Sequence, residues 1–347
     1  MVELNEQFDG RYSRQERFGP IGKTGQEKLG AARVAIVGCG ALGSVLAESM
    51  VRAGAGQVIL IDRDFIELSN LQRQFLYDES DIEAGLPKAE AAARKLRVIN
   101  SQVRIEPFIT DANHESIEML TDGADLILDG TDNLHTRYLI NDVAIQRSIP
   151  WIYGAAQAGT GMALSVLPPG RPCLRCVFDS PPDPGQLETC ETAGIIGPLI
   201  AIVAGYQATE ALKILTGNTE AVNRHLLTFD PWQNRFGQMK LASLDQGCVC
   251  CGEGKYEFLS GRLSLSTVAL CGRNAVQIRP KKKGQKLDLE AMAERLSEVG
   301  GIQRSEFMLR LEVGEYQLTL FPDGRTIVKG TEEKDLARSL YAKYIGH

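Results

Sequence analysis

The stretch at residues 33–56, RVAIVGCGALGSVLAESMVRAGAG, constrains this chain more than any other. Residues 34–37 are an apolar run of strand character, and GCGALG at 38–43 follows directly. An apolar-periodic segment after the glycines reads as a helix ending near Gly54 and Gly56. Strand, glycine turn and helix in that order make a nucleotide-binding βα unit. Gly38, Gly40 and Gly43 let backbone approach phosphate, and the N–H groups of the helix start attract anionic oxygens. A second strand at 57–61 delivers Asp62 about 20 residues beyond the turn, where an acid binds ribose hydroxyls. The plain alternative is a tight turn without a ligand, but the strand, the helix and the acid together favour a nucleotide site.

The chain has 347 residues, room for about two domains. Hydrophobic content of 44% and charged content of 24% are those of an ordinary globular protein. A net charge of -6 lacks the basic footprint of a nucleic-acid binder. The polar, acidic start MVELNEQFDGRYSRQ does not read as a secretory signal, and the longest apolar stretch, 193–206, is too short to span a membrane. A cytoplasmic protein with no membrane partner is therefore expected.

Strands at 34–37, 57–61, 103–108 and 126–128, with a helix at 88–99, alternate as in a parallel sheet covered by helices on both faces. A helix at 134–147, a strand at 151–154, and β-rich residues to 167 come next, and a proline-rich stretch at 168–186 reads as a surface crossover. A long helix at 198–215 and strands near 225–230 and 238–241 complete an α/β, Rossmann-like, mostly parallel domain over residues 1–254. Residues 255–347 read as a small C-terminal α+β module. Its strands are expected at 266–270, 275–279, 307–313, 316–321 and 326–329, with Gly314-Glu315 as a hairpin turn and a helix at the end. Leu289, Met292, Leu296 and Val299 fall on one face of a further helix.

Eight cysteines with no export signal point to metal or catalysis rather than disulfides. Cys173-Leu-Arg-Cys176 and Cys248-Val-Cys-Cys251 are two C-x-x-C pairs. Together they offer four thiolates to one tetrahedral ion, and an S₄ set with no open position fits structural zinc, against redox dithiols or unrelated thiols. Cys250 is a spare thiol that replaces Cys251 only with poorer spacing. The histidines, His114, His135, His225 and His347, form no ligand pattern.

Asn70-Leu-Gln-Arg73-Gln74 follows the second strand, at the carboxyl edge where open α/β sheets bind ligands. Arg73 either forks onto phosphate oxygens or is a solvated loop arginine. Lys88 stands in the first turn of the helix at 88–99, where a cation opposes the helix dipole, and this placement hints at a phosphate partner. Asp132, in DGTDN after the fourth strand, either holds Mg²⁺ against a triphosphate or caps the next helix.

These segments occur in a fixed order: RYSRQ, the glycine turn with Asp62, SNLQRQ, LPKAE, DGTDN, the paired C-x-x-C and TCETAGIIGP. With that combination, residues 11–252 resemble the ThiF/MoeB family of ubiquitin-activating-type adenylyltransferases. The resemblance implies ATP-dependent adenylation of the C-terminal glycine of a ubiquitin-like sulfur carrier, ThiS or MoaD in type, for thiamine or molybdopterin synthesis. It places Gly38, Gly40 and Gly43 at the phosphates, Asp62 at the ribose, Asn70, Arg73 and Lys88 at the triphosphate, and Mg²⁺ at Asp132. It makes Arg14 a finger reaching the ATP of a neighbouring subunit in a homodimer. It also implies a cysteine desulfurase as a candidate sulfur source. Cys190, in TCETAG, matches the family's candidate sulfur-handling cysteine, with a loop thiol as the alternative. Cys271 sits beside Arg273 after a strand, yet the module is too short for a rhodanese fold, and a buried cysteine is the better reading. Two other readings compete with this one. A nicotinamide-dependent oxidoreductase needs the glycines and Asp62 but not the cations. The other rival is a non-catalytic protein that binds a nucleotide and a partner.

Overall fold

The computed structural model describes residues 10–170, 172–181, 193–241, 247–263, 267–270, 274–278, 287–297 and 299–345. These fall into two compact units, the first ending at Leu263.

In the first unit the elements run α1 (Gly22–Ala31), β1 (Arg33–Val37), α2 (Ala41–Ala53), β2 (Gln57–Ile61), α3 (Lys88–Ile99), β3 (Arg104–Phe108), β4 (Leu126–Asp129) and α4 (Leu134–Arg147). Then come β5 (Trp151–Gln157), β6 (Thr160–Val166), α5 (Gly197–Leu215), β7 (Leu226–Asp230) and β8 (Arg235–Met239). One sheet holds all eight strands in the order β3-β2-β1-β4-β5-β6-β7-β8. The first five pair in parallel, and β6, β7 and β8 extend the sheet antiparallel.

The central parallel strands β1, β2 and β4 are mostly apolar and buried because both of their faces are covered, whereas β3 at the edge, RIEPF, is mixed. Ala35 and Val37 join the cluster containing Tyr138, Ile140 and Val143 of α4. On α2, Leu46, Ala47, Met50 and Val51 are buried, and that helix packs against β1, β2 and α5. At the far edge all five residues of β8 are exposed. Helix α2 ends where Gly54 takes φ +89° and the Tyr12 ring lies over it, leaving no room for a Cβ.

The proline-rich stretch differs from the expected surface crossover. Leu174–Val177 is a helical turn, and Cys173, Leu174 and Arg175 are buried because the first C-x-x-C knuckle sits against α4. The first unit's core also continues past Gly254. Phe258 is buried, with its ring stacked on Tyr138 at 4.9 Å.

The second unit holds β9 (Thr267–Leu270), β10 (Ala275–Ile278), α6 (Leu289–Leu296), β11 (Gly301–Arg304), β12 (Leu309–Val313), β13 (Tyr316–Leu320), β14 (Thr326–Lys329) and α7 (Lys334–Tyr344). Its antiparallel sheet runs β11-β12-β13-β14-β10-β9. Residues alternate along each strand, so Val276, Leu311, Leu318 and Val328 meet Leu289, Met292 and Leu296 of α6 in one core. Val299 is not part of that helical face. Helix α6 stops at Leu296, and Val299 lies beyond it, 40% exposed. Cys271 and Cys190 lie outside the described residues.

Among the described residues no helix is long and apolar enough to cross a membrane.

Candidate functional site

At the carboxyl edge, β1 and β4 are neighbours whose following helices cover opposite faces of the sheet. This is the switch point where open α/β sheets bind ligands. Here the turns after β1 and β4 press directly on each other. A Cβ on Gly38 (φ +88°) would lie 2.8 Å from the Gly130 carbonyl, and one on Gly43 or Gly130 would collide with the Gly38 carbonyl oxygen. Glycine at 38 and 130 is therefore demanded by turn-on-turn packing, and glycine at 43 by the Gly38 carbonyl of its own turn. Gly40 differs, because a Cβ there would meet only Gln74 Nε2, at 3.9 Å. It is the turn glycine with room beside it for a ligand.

The peptide entering Gly40 is held from behind. Cys39 N–H donates to Asp62 Oδ2 at 2.6 Å, and the Tyr77 hydroxyl donates to the Cys39 carbonyl at 2.7 Å. In a trans peptide C=O and N–H point opposite ways, so anchoring this carbonyl on buried Tyr77 directs the Gly40 N–H outward. Asp62 Oδ1 accepts the Asp64 N–H at 2.7 Å. Burial pushes the Asp62 carboxyl above its ordinary value, while nearby Lys88 pulls it back.

Lys88 opens α3, as expected, and its side chain is only 5% exposed. Its ammonium lies 3.5 Å from Asp64 Oδ2, which fixes a desolvated cation next to the glycine turn. Asn70 ends a 3₁₀ turn, Leu68–Asn70, and its Oδ1 accepts the Glu67 N–H at 3.1 Å. Arg73 donates to the Ser69 carbonyl at 2.8 Å. Gln74 is 4% exposed, with its amide nitrogen turned towards Gly40.

Asp132 is exposed at the same edge, beyond β4. It does not cap α4. Asn133 does so, accepting the Thr136 N–H at 3.3 Å. Arg14 is elsewhere, in a helical turn, Ser13–Glu16, tied to the end of α2. Gln15 Nε2 donates to the Ala53 carbonyl at 2.9 Å, and Asn100 Nδ2 donates to the Tyr12 hydroxyl at 2.8 Å. Helix α2 has 13 residues, so Arg14 stands about 20 Å from the glycine turn of its own chain, beyond arginine reach.

The four expected cysteines converge. Sulfur separations are 3.8 Å for Cys173–Cys176, 3.7 Å for Cys173–Cys248 and 3.4 Å for Cys176–Cys251, and all four sulfurs lie within 4.8 Å of one another. Tetrahedral zinc with Zn–S bonds near 2.3 Å sets its sulfurs about 3.8 Å apart, so the donor set fits that ion. Cys250 is not one of these four, although its thiol adjoins the Cys173 sulfur. Its thiol donates to Asp142 Oδ1 at 3.4 Å and accepts from Asn141 Nδ2 at 3.3 Å. Asp142 Oδ2 takes the N–H groups of Phe258 and Leu259, and Asn141 Oδ1 takes that of Leu174. Two adjacent residues of α4 thus dock both knuckles. Nothing in the C-x-x-C spacing signals them.

Residues 12–250 match the model of the ThiF family. The chain belongs to the ThiF family.

This ThiF-family chain is 44% identical over 339 residues to the sulfur carrier protein ThiS adenylyltransferase of Bacillus subtilis, covering 97% of this chain and 99% of that one. It is 36% identical over 253 residues to the sulfur carrier protein adenylyltransferase of Thermus thermophilus, covering 72% and 92%. Among solved structures, E. coli MccB with ATP superposes with a TM-score of 0.61 at 21% identity, covering 70% of this chain and 74% of that one. That likeness bears on the fold alone. None of these relatives supports the nicotinamide-dependent reading.

Proposed function

We propose that this chain uses ATP to adenylate the C-terminal glycine carboxylate of a ubiquitin-like sulfur carrier of the ThiS or MoaD type, releasing pyrophosphate. The observation that carries this reading is the 44% identity, over nearly the whole of both chains, to a ThiS adenylyltransferase. The reading also gives a use to the charges at the carboxyl edge. A dinucleotide oxidoreductase has no role for Lys88, Arg73 or Asp132.

The carrier carboxylate attacks the α-phosphorus of ATP, the bond to the bridging oxygen breaks, and pyrophosphate departs with that electron pair. Two anions must meet, so catalysis here is largely placement of positive charge. Asp62 receives the ribose hydroxyls. The Gly40 N–H and the start of α2 receive phosphate oxygens, with Asn70, Arg73 and Lys88 along the triphosphate. Lys88 is already desolvated, which strengthens its field at the phosphates. The exposed carboxylate of Asp132 is suited to a hydrated Mg²⁺ held jointly with phosphates, and the ion, when bound, neutralises charge on the leaving group. Arg14 acts in trans from a second copy in a homodimer. Its distance from its own glycine turn supports that reading. Cys190 is assigned to sulfur handling after adenylation, with a cysteine desulfurase as the sulfur source, in the cytoplasm. The cysteine cluster holds structural zinc.

Exchange of labelled pyrophosphate into ATP tests the proposal. It is expected only when carrier is present, and Asp132→Ala should reduce it about 100-fold or more. Comparing ThiS-like and MoaD-like carriers in the same assay selects the pathway. Wild-type protein that binds both partners without exchange would favour a non-catalytic role. Undiminished exchange in Asp132→Ala would remove that residue from the mechanism.

A further inference from the structure

Beneath the loop that carries Asp132 lies an ion pair that the proposed chemistry does not use. Asp129 is fully buried, and Arg137, one turn into α4, is 7% exposed. Their side chains meet at 3.1 Å, Nε to Oδ2. Between them they hold both backbone groups of two residues. Thr131 N–H donates to Asp129 Oδ1 at 2.9 Å, and the Thr131 carbonyl accepts from Arg137 Nη2 at 2.6 Å. Gly154 N–H donates to Asp129 Oδ2 at 3.4 Å, and the Gly154 carbonyl accepts from Arg137 Nη2 at 3.0 Å. The Thr131 hydroxyl adds a bond of 2.7 Å to Asp129 Oδ1.

Such a pair gives little net stability, since desolvation cancels most of its attraction and apolar residues of similar volume often do as well. Its distinctive effect is on geometry. The Thr131 carbonyl shares a rigid peptide plane with the Asp132 N–H, so fixing that carbonyl from below fixes the plane from which Asp132 departs. The same guanidinium ties this plane to β5 through Gly154, and its planar fork sets Nε on Asp129 while Nη2 serves both carbonyls.

We infer that Arg137, seated on Asp129, is the positioning residue that aims Asp132 at the magnesium–phosphate site. The inference rests on the adenylyl-transfer reading for what Asp132 holds. It is tested by ATP binding, which needs neither carrier nor turnover.

The variant is Arg137→Lys, which keeps a cation but has one nitrogen where the guanidinium sets Nε on Asp129 and Nη2 on the two carbonyls. Calorimetric titration with ATP, with and without Mg²⁺, is run on the wild type, Arg137→Lys, Asp132→Ala and the double variant. Magnesium should tighten ATP binding in the wild type. Arg137→Lys should leave metal-free affinity unchanged and reduce the magnesium-dependent tightening roughly tenfold, the size expected for a charge-assisted hydrogen bond. Added to Asp132→Ala, it should cost nothing further, because both changes act through one group. Three results overturn the inference: equal loss with and without Mg²⁺, a lower melting temperature with the tightening intact, or full additivity with Asp132→Ala. Wild-type affinity indifferent to Mg²⁺ overturns it as well. Should Arg137→Lys not fold, the paired change Asp129→Asn with Arg137→Gln is read by the same criteria. Absent pyrophosphate exchange alongside magnesium-dependent binding that responds to Arg137 would sink the proposed reaction and leave this inference standing.

Discussion

Helix α4 supports two regions by contacts of very different reach. In its second turn Arg137 closes onto Asp129, only 8 residues back. About one turn further on, Asn141 and Asp142 bond groups 33 to 117 residues away. A short closure restricts little chain entropy, so this support under the nucleotide edge is built by near neighbours in sequence, although the turns it serves meet from strands far apart in the chain. Its glycines, Asp129 and Arg137 are packed and hydrogen-bonded on their own. The cysteine region gathers two remote knuckles, and its order depends on whatever joins them: four convergent sulfurs able to hold an ion, plus the two α4 side chains. The lesson is that one helix carries a short-range support for the chemical edge and a remotely assembled structural clasp, and the two should fail separately.

The largest expected effect is at the clasp. Ejecting the metal with thiol-modifying reagents should remove an interaction of about 10–16 kcal/mol, enough to unfold the first unit, and replacing Cys248 with Ser, which leaves three thiolates, should remove part of it. Metal content of about one zinc per chain and loss of the circular dichroism signal on ejection are the readouts. A metal-free preparation that stays folded would erase the contrast between the regions.

A smaller effect is expected from Asp142→Ala, which strands two buried N–H groups and the Cys250 thiol at a cost of about 2–3 kcal/mol. Denaturant midpoints should fall while ATP affinity holds. If ATP affinity drops in step, the two regions are one cooperative unit and the comparison is wrong.

The smallest stability effect belongs to the nucleotide edge. Gly130→Ala places a methyl group against the Gly38 carbonyl and should cost about 1–3 kcal/mol. In contrast to Asp142→Ala, it should weaken ATP binding more than it lowers the midpoint. Unchanged affinity would mean that the packing of the two turns is irrelevant to the ligand.

What could be read from the sequence follows the same division. Strands β1, β2 and β4 carry apolar runs, VAIV, VILI and LIL, because both faces are covered, and the helices Lys88–Ile99 and Leu134–Arg147 begin at Pro87 and Asn133, which mark helix starts. The C-x-x-C pairs announce four convergent sulfurs, and the geometry delivers them. Arg137 gives no such signal. It looks like any polar helix position until β5 brings Gly154 beside it. Asn141 and Asp142 are equally silent, since their partners lie far along the chain. Gly130 reads as a turn glycine, and its need for a bare Cα arises only from the Gly38 turn across the sheet. In the second unit, β11 has the sequence GIQR, with no apolar alternation to betray it, and is a strand because β12 offers it an edge.

The most direct measurement of the central claim is the intact mass of the carrier after incubation with this protein, ATP and Mg²⁺. The account predicts one AMP added at the carrier's C-terminal carboxyl, and none when Asp132→Ala replaces the wild type. A carrier of unchanged mass beside active, nucleotide-bound protein, or AMP attached to the protein itself, would contradict it.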